Sequence, residues 1–292
     1  MLFRSNLAML LSIGYFFVPI MWVLVNSTKN NEQLFSTFSL WFPDKLNFVS
    51  NMKALFSEDG SIFLIWFRNT AFYSISSALG ATAIAAAAGY ALARFNFKGK
   101  SILEATILSM VMVPATALVM PLYLMMSKLN FVNTVWSVIL PSVLFPFGVF
   151  LVRVFIQESV PDEILQAARI DRAGEFLIFW RIVIPMLRPA LVTVFLFSLV
   201  ASWNNFFLPL VMLSESKLYP LTVGLQAWFE QAAQEGGNSF LFNLVIAGSL
   251  VAIVPLIISF IFFSYSKFNL RIASEKSLFT MLFFYKSFLQ WL

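Results

Sequence analysis

Six long stretches of the chain contain no charged residue, and they constrain its fold more than any other feature. They fall near residues 7–25, 69–93, 105–127, 134–152, 189–213 and 240–264. A membrane-spanning helix needs about 20 mainly apolar residues, so each stretch is long enough to cross a bilayer. Of the 292 residues, 60% are hydrophobic and only 11% are charged, a balance that soluble domains do not have. The sequence therefore predicts an all-α membrane protein with six transmembrane helices in one domain, 1–292.

Lysine and arginine are distributed unevenly between the segments that join these stretches. If the N-terminus is cytoplasmic, the segments on that side hold 13 of the 19, and those on the other side hold 6. Because cytoplasmic segments carry an excess of Lys and Arg, we expect both termini in the cytoplasm. Segments 26–68 and 214–239 are then external, and 157–188 is a cytoplasmic loop between spans four and five. After Ser266 we expect a surface-lying or disordered end, since its apolar stretch, 278–285, is too short to cross.

Several kinds of chemistry are excluded by residues that the chain lacks. With no cysteine and no histidine, it has no disulfide, no thiol nucleophile, no Cys/His zinc site and no histidine catalysis. Without Cys and His, a metal site would have to be built from carboxylates alone. The sequence predicts no such site. No G-x-x-x-x-G-K-[ST] phosphate loop occurs, so we do not expect the chain to hydrolyse ATP itself. The sequence predicts no enzyme activity and no nucleic-acid binding.

The six stretches also lack the ionisable residues that usually mark ion-coupled transport. The nearest is Glu104, at the inner edge of the third span, where we expect it to pair with Lys98 or Lys100. A stand-alone secondary transporter of small solutes is the alternative function, and it would need coupling-ion ligands inside the spans. A membrane enzyme is a third hypothesis, for which the chain offers almost no catalytic side chains.

Uncharged polar residues inside the spans are the candidates for a solute pathway. Amide side chains both donate and accept hydrogen bonds, so a pair of them suits a hydroxyl-rich solute. Hydrogen bonding between helices is the alternative for each residue alone. Pro114 and Pro121 are expected to bend or break the third span near such a pathway. The pathway candidates are Tyr123, Ser202, Asn204 and Asn205.

The cytoplasmic segment 157–188 is rich in charge and predicts two short amphipathic helices. Ser159, three residues before Asp162, predicts an N-terminal cap for the first helix, and Gly174 separates it from the second. The second is expected to end at Ile184, before a proline. Their apolar faces are Ile164, Leu165 and Ala168 in the first helix, and Phe176, Phe179, Trp180 and Val183 in the second. A short amphipathic helix between membrane spans predicts a contact with a partner protein.

The same segment carries a family resemblance. Residues 166–173 read Q-A-A-R-I-D-R-A and are followed by Phe179, Ile182 and Ile184-Pro185. This pattern resembles the cytoplasmic E-A-A … D-G-A … F … I-x-L-P signature of ATP-binding cassette importer permeases. Further stretches resemble the carbohydrate branch, and in particular the smaller permease subunit of the bacterial maltose importer. These are Val113-Pro114, Pro121-Leu122-Tyr123, Asn133-Thr134, Leu140-Pro141, Phe147-Gly148-Val149-Phe150 and Ser202-Trp203-Asn204-Asn205-Phe206.

The resemblance implies a multi-pass permease of the bacterial inner membrane that imports a di- or oligosaccharide. It implies a second, homologous permease, two ATPase subunits that hold ATP and Mg, and a periplasmic or extracellular solute-binding protein. The first helix of 157–188 is then the coupling helix, which is seated on an ATPase subunit. Its implied coupling residues are Glu163, Gln166, Ala167, Ala168, Arg169, Asp171, Arg172, Ala173 and Gly174. The implied contacts with the binding protein are Gln226, Trp228, Phe229, Glu230 and Gln231.

Three residues depart from the family pattern. Gln166 stands where the family has Glu, Arg172 where it has Gly, and Asn205 where it has Asp. Glycine adopts a positive φ at the lowest cost, so its loss raises the question of which residue makes the turn. The sequence predicts that Gly174 takes over that turn.

Overall fold

A computed structural model of the chain describes residues 2–234 and 239–270, and within them it contains helices and no strands. The predicted all-α class is therefore confirmed. Gly236-Gly237 and the C-terminal end beyond residue 270, which includes 278–285, lie outside the described residues. The helices are α1 (Leu2–Asn26), α2 (Asn31–Ser36), α3 (Phe48–Ser57), α4 (Ile62–Arg94), α5 (Lys100–Met112), α6 (Ala115–Lys128), α7 (Val135–Ser142), α8 (Pro146–Ser159), α9 (Asp162–Ile170), α10 (Glu175–Ile178), α11 (Ile184–Trp203), α12 (Phe207–Met212), α13 (Leu221–Gln234) and α14 (Ser239–Leu270).

Between four and five segments of the described chain are long and apolar enough to cross a membrane. Four are Ile62–Arg94, Val135–Ser159, Glu175–Trp203 and Phe240–Ile261, and α5 with α6 forms a bent fifth. The first predicted span falls within α1 (Leu2–Asn26), of which the described apolar stretch, Ser12–Asn26, is shorter than a span. Four or five spans are thus supported, and the sixth span and the orientation of the termini stay predictions.

The bend between α5 and α6 confirms the break expected at Pro114. The two helices meet at 108°, and Pro114 occupies the N-cap position of α6 with an extended backbone. Proline disfavours a helical conformation in the residue before it, which here is Val113 (φ −79°, ψ 124°). Pro121, by contrast, lies inside α6 and does not end it.

Two predictions about the ends of the helices in segment 157–188 are wrong. Ser159 is the last residue of α8 and does not cap α9, whose N-cap is Pro161 and which has no side-chain cap. The second helix does not end at Ile184, because α10 continues through a π-helical turn, Phe179–Val183, into α11. Pro185 directly follows this π-helical turn, in which Ile184 N donates to Phe179 O, so the proline lies where the hydrogen-bond register of the helix already changes.

The chain divides into two compact units. One comprises residues 71–212 and the described residues from 258 on. The other comprises residues up to 70 and residues 213–257. In the first of these, one apolar core joins α8, α9, α10 and α11, through side chains that are almost completely buried. Close approach of α4 and α8 requires glycine, since a Cβ on Gly89 would lie 2.7 Å from Val152 Cγ1. The fully or almost fully buried core residues are Ile156, Leu165, Ile178, Val183 and Leu187.

In the other unit, α4 and α13 meet through tryptophan. The rings of Trp66 and Trp228 are 4.7 Å apart in a T-shaped contact, and Trp66 Nε1 donates a hydrogen bond to Ser216 O at 2.8 Å. Gly224 lies against the Trp66 ring, where a Cβ would come within 2.2 Å of it. Segment 26–68, predicted to be external, contains α2 and α3.

Candidate functional site

Helix α9 has one face in the apolar core and the other open to solvent. Leu165 is 1% exposed and Ala168 packs against the same core. Glu163, Gln166 and Ala167 are exposed on the opposite face, and Ile170, in the same i, i+3, i+4, i+7 series, is 82% exposed. The exposed face of α9 thus carries an apolar side chain, Ile170, beside the small Ala167.

Arg94, the last residue of α4, connects α9 to the end of α8. Its guanidinium forms a salt bridge with Asp162, the first residue of α9. It also donates hydrogen bonds to two backbone carbonyl groups, Val160 O and Ile156 O, the latter at 3.0 Å. The Arg94 side chain is 10% exposed and that of Asp162 is 67% exposed. The carbonyl contacts are therefore the buried part of this junction, and the carboxylate lies at its rim.

A second connection joins the far end of α9 to α4 and α10. Arg169 Nε donates to Glu175 Oε1 at 2.7 Å, and Tyr90 OH donates to Glu175 Oε2 at 2.9 Å. The hydrogen bond to Glu175 raises the pKa of the Arg169 guanidinium above its ordinary value. Both ends of α9 are thus connected to α4, one by Arg94 and one by Tyr90 through Glu175.

Helix α9 ends in a left-handed turn at Arg172, which has φ +58°. Arg172 N donates to Arg169 O and Ala173 N donates to Ala168 O, both at 3.0 Å, which is the bonding pattern of a Schellman motif. Gly174 has φ −69°, so the prediction that it makes the positive-φ turn is wrong. The turn needs a left-handed residue at position 172 to close the helix, whatever the side chain there.

Replacing Arg172 by glycine should therefore stabilise the turn. A non-glycine residue in the left-handed region costs about 1 kcal/mol, so we expect R172G to raise the free energy of unfolding by up to about that amount. The measurement is thermal unfolding of the purified full chain. Gly174→Ala is the matched control, since its backbone suits any residue and its Cβ would meet nothing within 4 Å. A lower stability for R172G would contradict the prediction.

Glu104 pairs with an arginine of α8, and not with the lysines expected from sequence. Arg153 Nη2 donates to Glu104 Oε2 at 3.0 Å, and Arg153 Nε lies 3.0 Å from Oε1. Both side chains are about one-fifth exposed. The sequence prediction of Lys98 or Lys100 is wrong because α5 turns Glu104 towards α8, away from its own N-terminal end.

The proposed pathway residues lie on α6 and at the break after α11. Tyr123 is half-buried on α6, and Ser202 lies in the last turn of α11 with its Oγ buried. The helix ends at Trp203, so Asn204 and Asn205 lie in the connection to α12, not in the middle of a continuous span as predicted. Asn204 Nδ2 donates to Val200 O at 3.1 Å. Helix α12 packs against α6 and α7.

The proposed binding-protein contacts lie on α13 and point in two directions. Trp228 is 6% exposed and packs against Trp66 and Phe63. Phe229, Glu230 and Gln231 are exposed. Gln226 is half-buried, and its Nε2 donates to Glu230 Oε1 at 3.0 Å. Trp228 therefore anchors α13, whereas Phe229, Glu230 and Gln231 are exposed to contact by a partner.

Comparison with known proteins decides the family. The model of the binding-protein-dependent transport system inner membrane component family matches residues 81–272, about two-thirds of the chain, including α9 and both of its connections. The chain belongs to this family. It is therefore a multi-pass inner membrane protein and a permease subunit of an ATP-binding cassette importer.

Individual relatives are similar over most of their length. The arabinooligosaccharides transport system permease protein AraQ of Halalkalibacterium halodurans is 33% identical, over 88% of this chain and 92% of AraQ. The diacetylchitobiose uptake system permease protein NgcG of Streptomyces coelicolor is 29% identical, over 89% of this chain and 82% of NgcG. A chain of a bacterial ABC transporter that imports the acidic polysaccharide alginate has the same fold, with a TM-score of 0.76 and 23% identity, covering 90% of this chain and 96% of that one.

Four residues of this site were not among those predicted from sequence. Ile170 could have been found from its spacing, since it is seven residues after Glu163 on the same helical face. Arg94, Tyr90 and Glu175 carry no such local pattern, because they meet α9 only after α4 and α10 pack against it.

Proposed function

We propose that this chain is the transmembrane permease subunit of an ATP-driven, binding-protein-dependent importer of a di- or oligosaccharide. Both termini lie in the cytoplasm, and a second, homologous permease completes the pathway. Two ATPase subunits bind ATP and Mg, and a periplasmic or extracellular binding protein delivers the sugar. The chain itself has no enzyme activity.

One observation carries the proposal. Helix α9 presents a small, exposed face at Gln166, Ala167 and Ile170, while its ends are connected to α4 through Arg94 and Tyr90. A helix attached in this way moves together with the helices behind it when a partner displaces it. We assign the exposed face to contact with an ATPase subunit, whose closure on ATP shifts α9 and switches the permease pair between inward-facing and outward-facing states.

The remaining coupling residues have roles that follow from their contacts. Glu163 and Gln166 offer polar groups to the ATPase surface. Ala168 and Ala173 pack against the core, Arg169 is held by Glu175, and Arg172 makes the turn. Asp171, which caps the C-terminal end of α9, and Gly174 complete the connection to α10.

The sugar class rests on the relatives and on the chemistry of the pathway residues. The named substrates of the relatives are oligosaccharides, and the structural neighbour imports a polysaccharide. We assign Tyr123, Ser202, Asn204 and Asn205 to the pathway, where hydroxyl and amide groups both donate and accept hydrogen bonds. We assign Gln226, Phe229, Glu230 and Gln231 to the binding protein, with Trp228 holding their helix in place.

Reconstitution tests the function. The chain is incorporated into proteoliposomes with its partner permease and ATPases, and uptake of labelled oligosaccharides is measured with binding protein and ATP. We expect uptake only when all components and ATP are present, and none with ATPase subunits whose phosphate-loop lysine is replaced. Uptake by the chain alone, driven by an ion gradient without ATP, would instead establish a stand-alone secondary transporter.

A further inference from the structure

The loop between α2 and α3, residues 37–47, exposes an unusual number of large apolar side chains. Phe38 is 73% exposed and Trp41 is 70% exposed. So much apolar surface in one short segment is typical of a surface that something other than water covers. We call this segment the aromatic loop. Its exposed apolar side chains are those of Phe38, Leu40, Trp41, Phe42 and Leu46.

The aromatic loop is fastened to the end of α1. Asn26 Nδ2 donates a hydrogen bond to Ser39 O, and Lys29 Nζ donates one to Phe38 O, both at 2.8 Å. Asn26 and Lys29 are both buried, and lysine is almost never fully buried without a partner. Removing the acceptor of a buried ammonium group is costly. The backbone of the loop is therefore held in place against α1.

Helix α14 sets the level of this junction. The part of α14 that is long and apolar enough to cross a membrane begins at Phe240. Asn243, three residues later, donates to Lys29 O at 2.7 Å, and the rings of Phe242 and Phe35 are 6.0 Å apart. Three helical residues rise about 5 Å. The residue that holds the aromatic loop is thus bonded to α14 close to the end of its apolar stretch, where lipid meets water.

The surface of α1, to which the loop is fastened, is exposed on all sides. Residues 12–20 are all exposed, and Tyr15, Phe16, Phe17 and Val18 are each more than half exposed. Successive residues of a helix point about 100° apart, so these four cover its whole circumference. One protein partner covers one side of such a helix, whereas a bilayer covers every side. The aromatic loop is therefore continuous with a surface that faces lipid.

The chemistry of the loop suits the headgroup region and not the hydrocarbon core. Tryptophan is enriched at the boundary between membrane and water, because its ring is apolar and its N–H is polar. The loop also contains Asp44 and Lys45, which are costly in hydrocarbon but reach water from the boundary. Its backbone forms no helix, and irregular backbone exposed to lipid does not occur in the hydrocarbon core.

We infer that the aromatic loop is a membrane-interface anchor whose partner is the lipid surface. Phe38 and Trp41 insert between lipid headgroups, and through Asn26 and Lys29 they fix the depth of α1 and α14 in the bilayer. The anchor works on whichever side of the membrane the loop lies. It rests on the membrane location of the chain and not on the proposed sugar transport.

Site-specific labelling tests the inference, and the absence of cysteine makes each label unique. Phe38→Cys and Trp41→Cys are each labelled with an environment-sensitive fluorophore in the full chain, with one copy in each phosphatidylethanolamine–phosphatidylglycerol nanodisc. Ser57→Cys is the control, since Ser57 is exposed beside Glu58 and Asp59. We expect a nitroxide on the lipid headgroups to quench both loop labels at least about three times as strongly as the control.

Two results would overturn the location of the loop in lipid. One is quenching of the loop labels equal to that of the control. The other is protection of the labels from a water-soluble quencher that appears only when the partner permease or the binding protein is added. The second result would assign the aromatic loop to a protein interface. Neither result bears on the proposed transport function.

A double variant tests whether the rings themselves anchor the loop. Phe38→Ala combined with Trp41→Ala removes both rings and leaves the backbone acceptors in place, and a label on Leu46→Cys reports where the loop lies. We expect headgroup quenching of this label to fall by at least about half. Ser36→Ala, next to the loop, should leave the quenching unchanged. Unchanged quenching in the double variant would show that the rings anchor nothing and would overturn the inference.

Discussion

Arg94→Ala is expected to reduce sugar uptake by the reconstituted importer at least about tenfold, while the partner subunits still assemble. The substitution removes the donor to Ile156 O and Val160 O and the salt bridge to Asp162. Hydrogen bonds to a charged group contribute about 1.5–3 kcal/mol, whereas the exposed Asp162 partner contributes little. The junction between α8 and α9 therefore loosens, and displacement of α9 is no longer transmitted to α4.

The matched control is Asp162→Asn, which keeps both carbonyl contacts. It should leave uptake within about twofold of the unmodified protein, because a rim salt bridge contributes at most about 1 kcal/mol. The readouts are uptake, co-purification of the ATPase subunits, and ATP hydrolysis stimulated by the loaded binding protein. Uptake above half of the unmodified level in Arg94→Ala would contradict a transmitting role for this arginine.

Ala167→Arg is expected to abolish assembly with the ATPase subunits or to reduce uptake by at least about a hundredfold. Ala167 is exposed and makes no core contact, so the chain itself should fold normally. A long, charged side chain at the centre of the exposed α9 face would prevent close approach of a partner, and an uncompensated charge in an interface costs several kcal/mol.

Ala167→Ser is the control at the same position, since it keeps a small side chain. It should assemble and transport like the unmodified protein. Co-purification in detergent and uptake in proteoliposomes measure the two steps separately. Normal assembly and uptake in Ala167→Arg would remove α9 from the ATPase interface, without bearing on family membership.

Local features of the sequence predicted the helices and the break at Pro114. Charge-free stretches and proline act on their own segment, so their effect is visible without a fold. The ends of α9 were harder to predict, because Ser159 matches a capping pattern but belongs to α8, whose helix continues to that residue. Whether Ser159 ends α8 or caps α9 depends on how the helices pack together, and the sequence of one segment does not contain that information.

Contacts between distant segments were not predictable. The partner of Glu104 is Arg153, 49 positions away, whereas sequence reasoning favoured the nearest lysines. The family resemblance implied that Trp228 contacts the binding protein, but its ring packs against Trp66, beside Gly224. In both cases a neighbouring helix, not the local pattern, decides where the side chain lies.

The break at residues 204–206 separates α11, which is connected to α9, from α12. Helix α11 packs against α8 and continues from the π-helical turn behind α9, whereas α12 packs against α6 and α7. Asn133 N also donates to Met212 O at 2.8 Å, which fastens the end of α12 to the start of the fourth span. Helix α11, of 20 residues, is about 30 Å long, so a tilt of about 10° at its Ile184 end would move Trp203 by about 5 Å. If α9 transmits motion as we propose, the short connection after Trp203 would act as a joint, and a small rotation at α9 would become a displacement comparable to the width of a sugar ring.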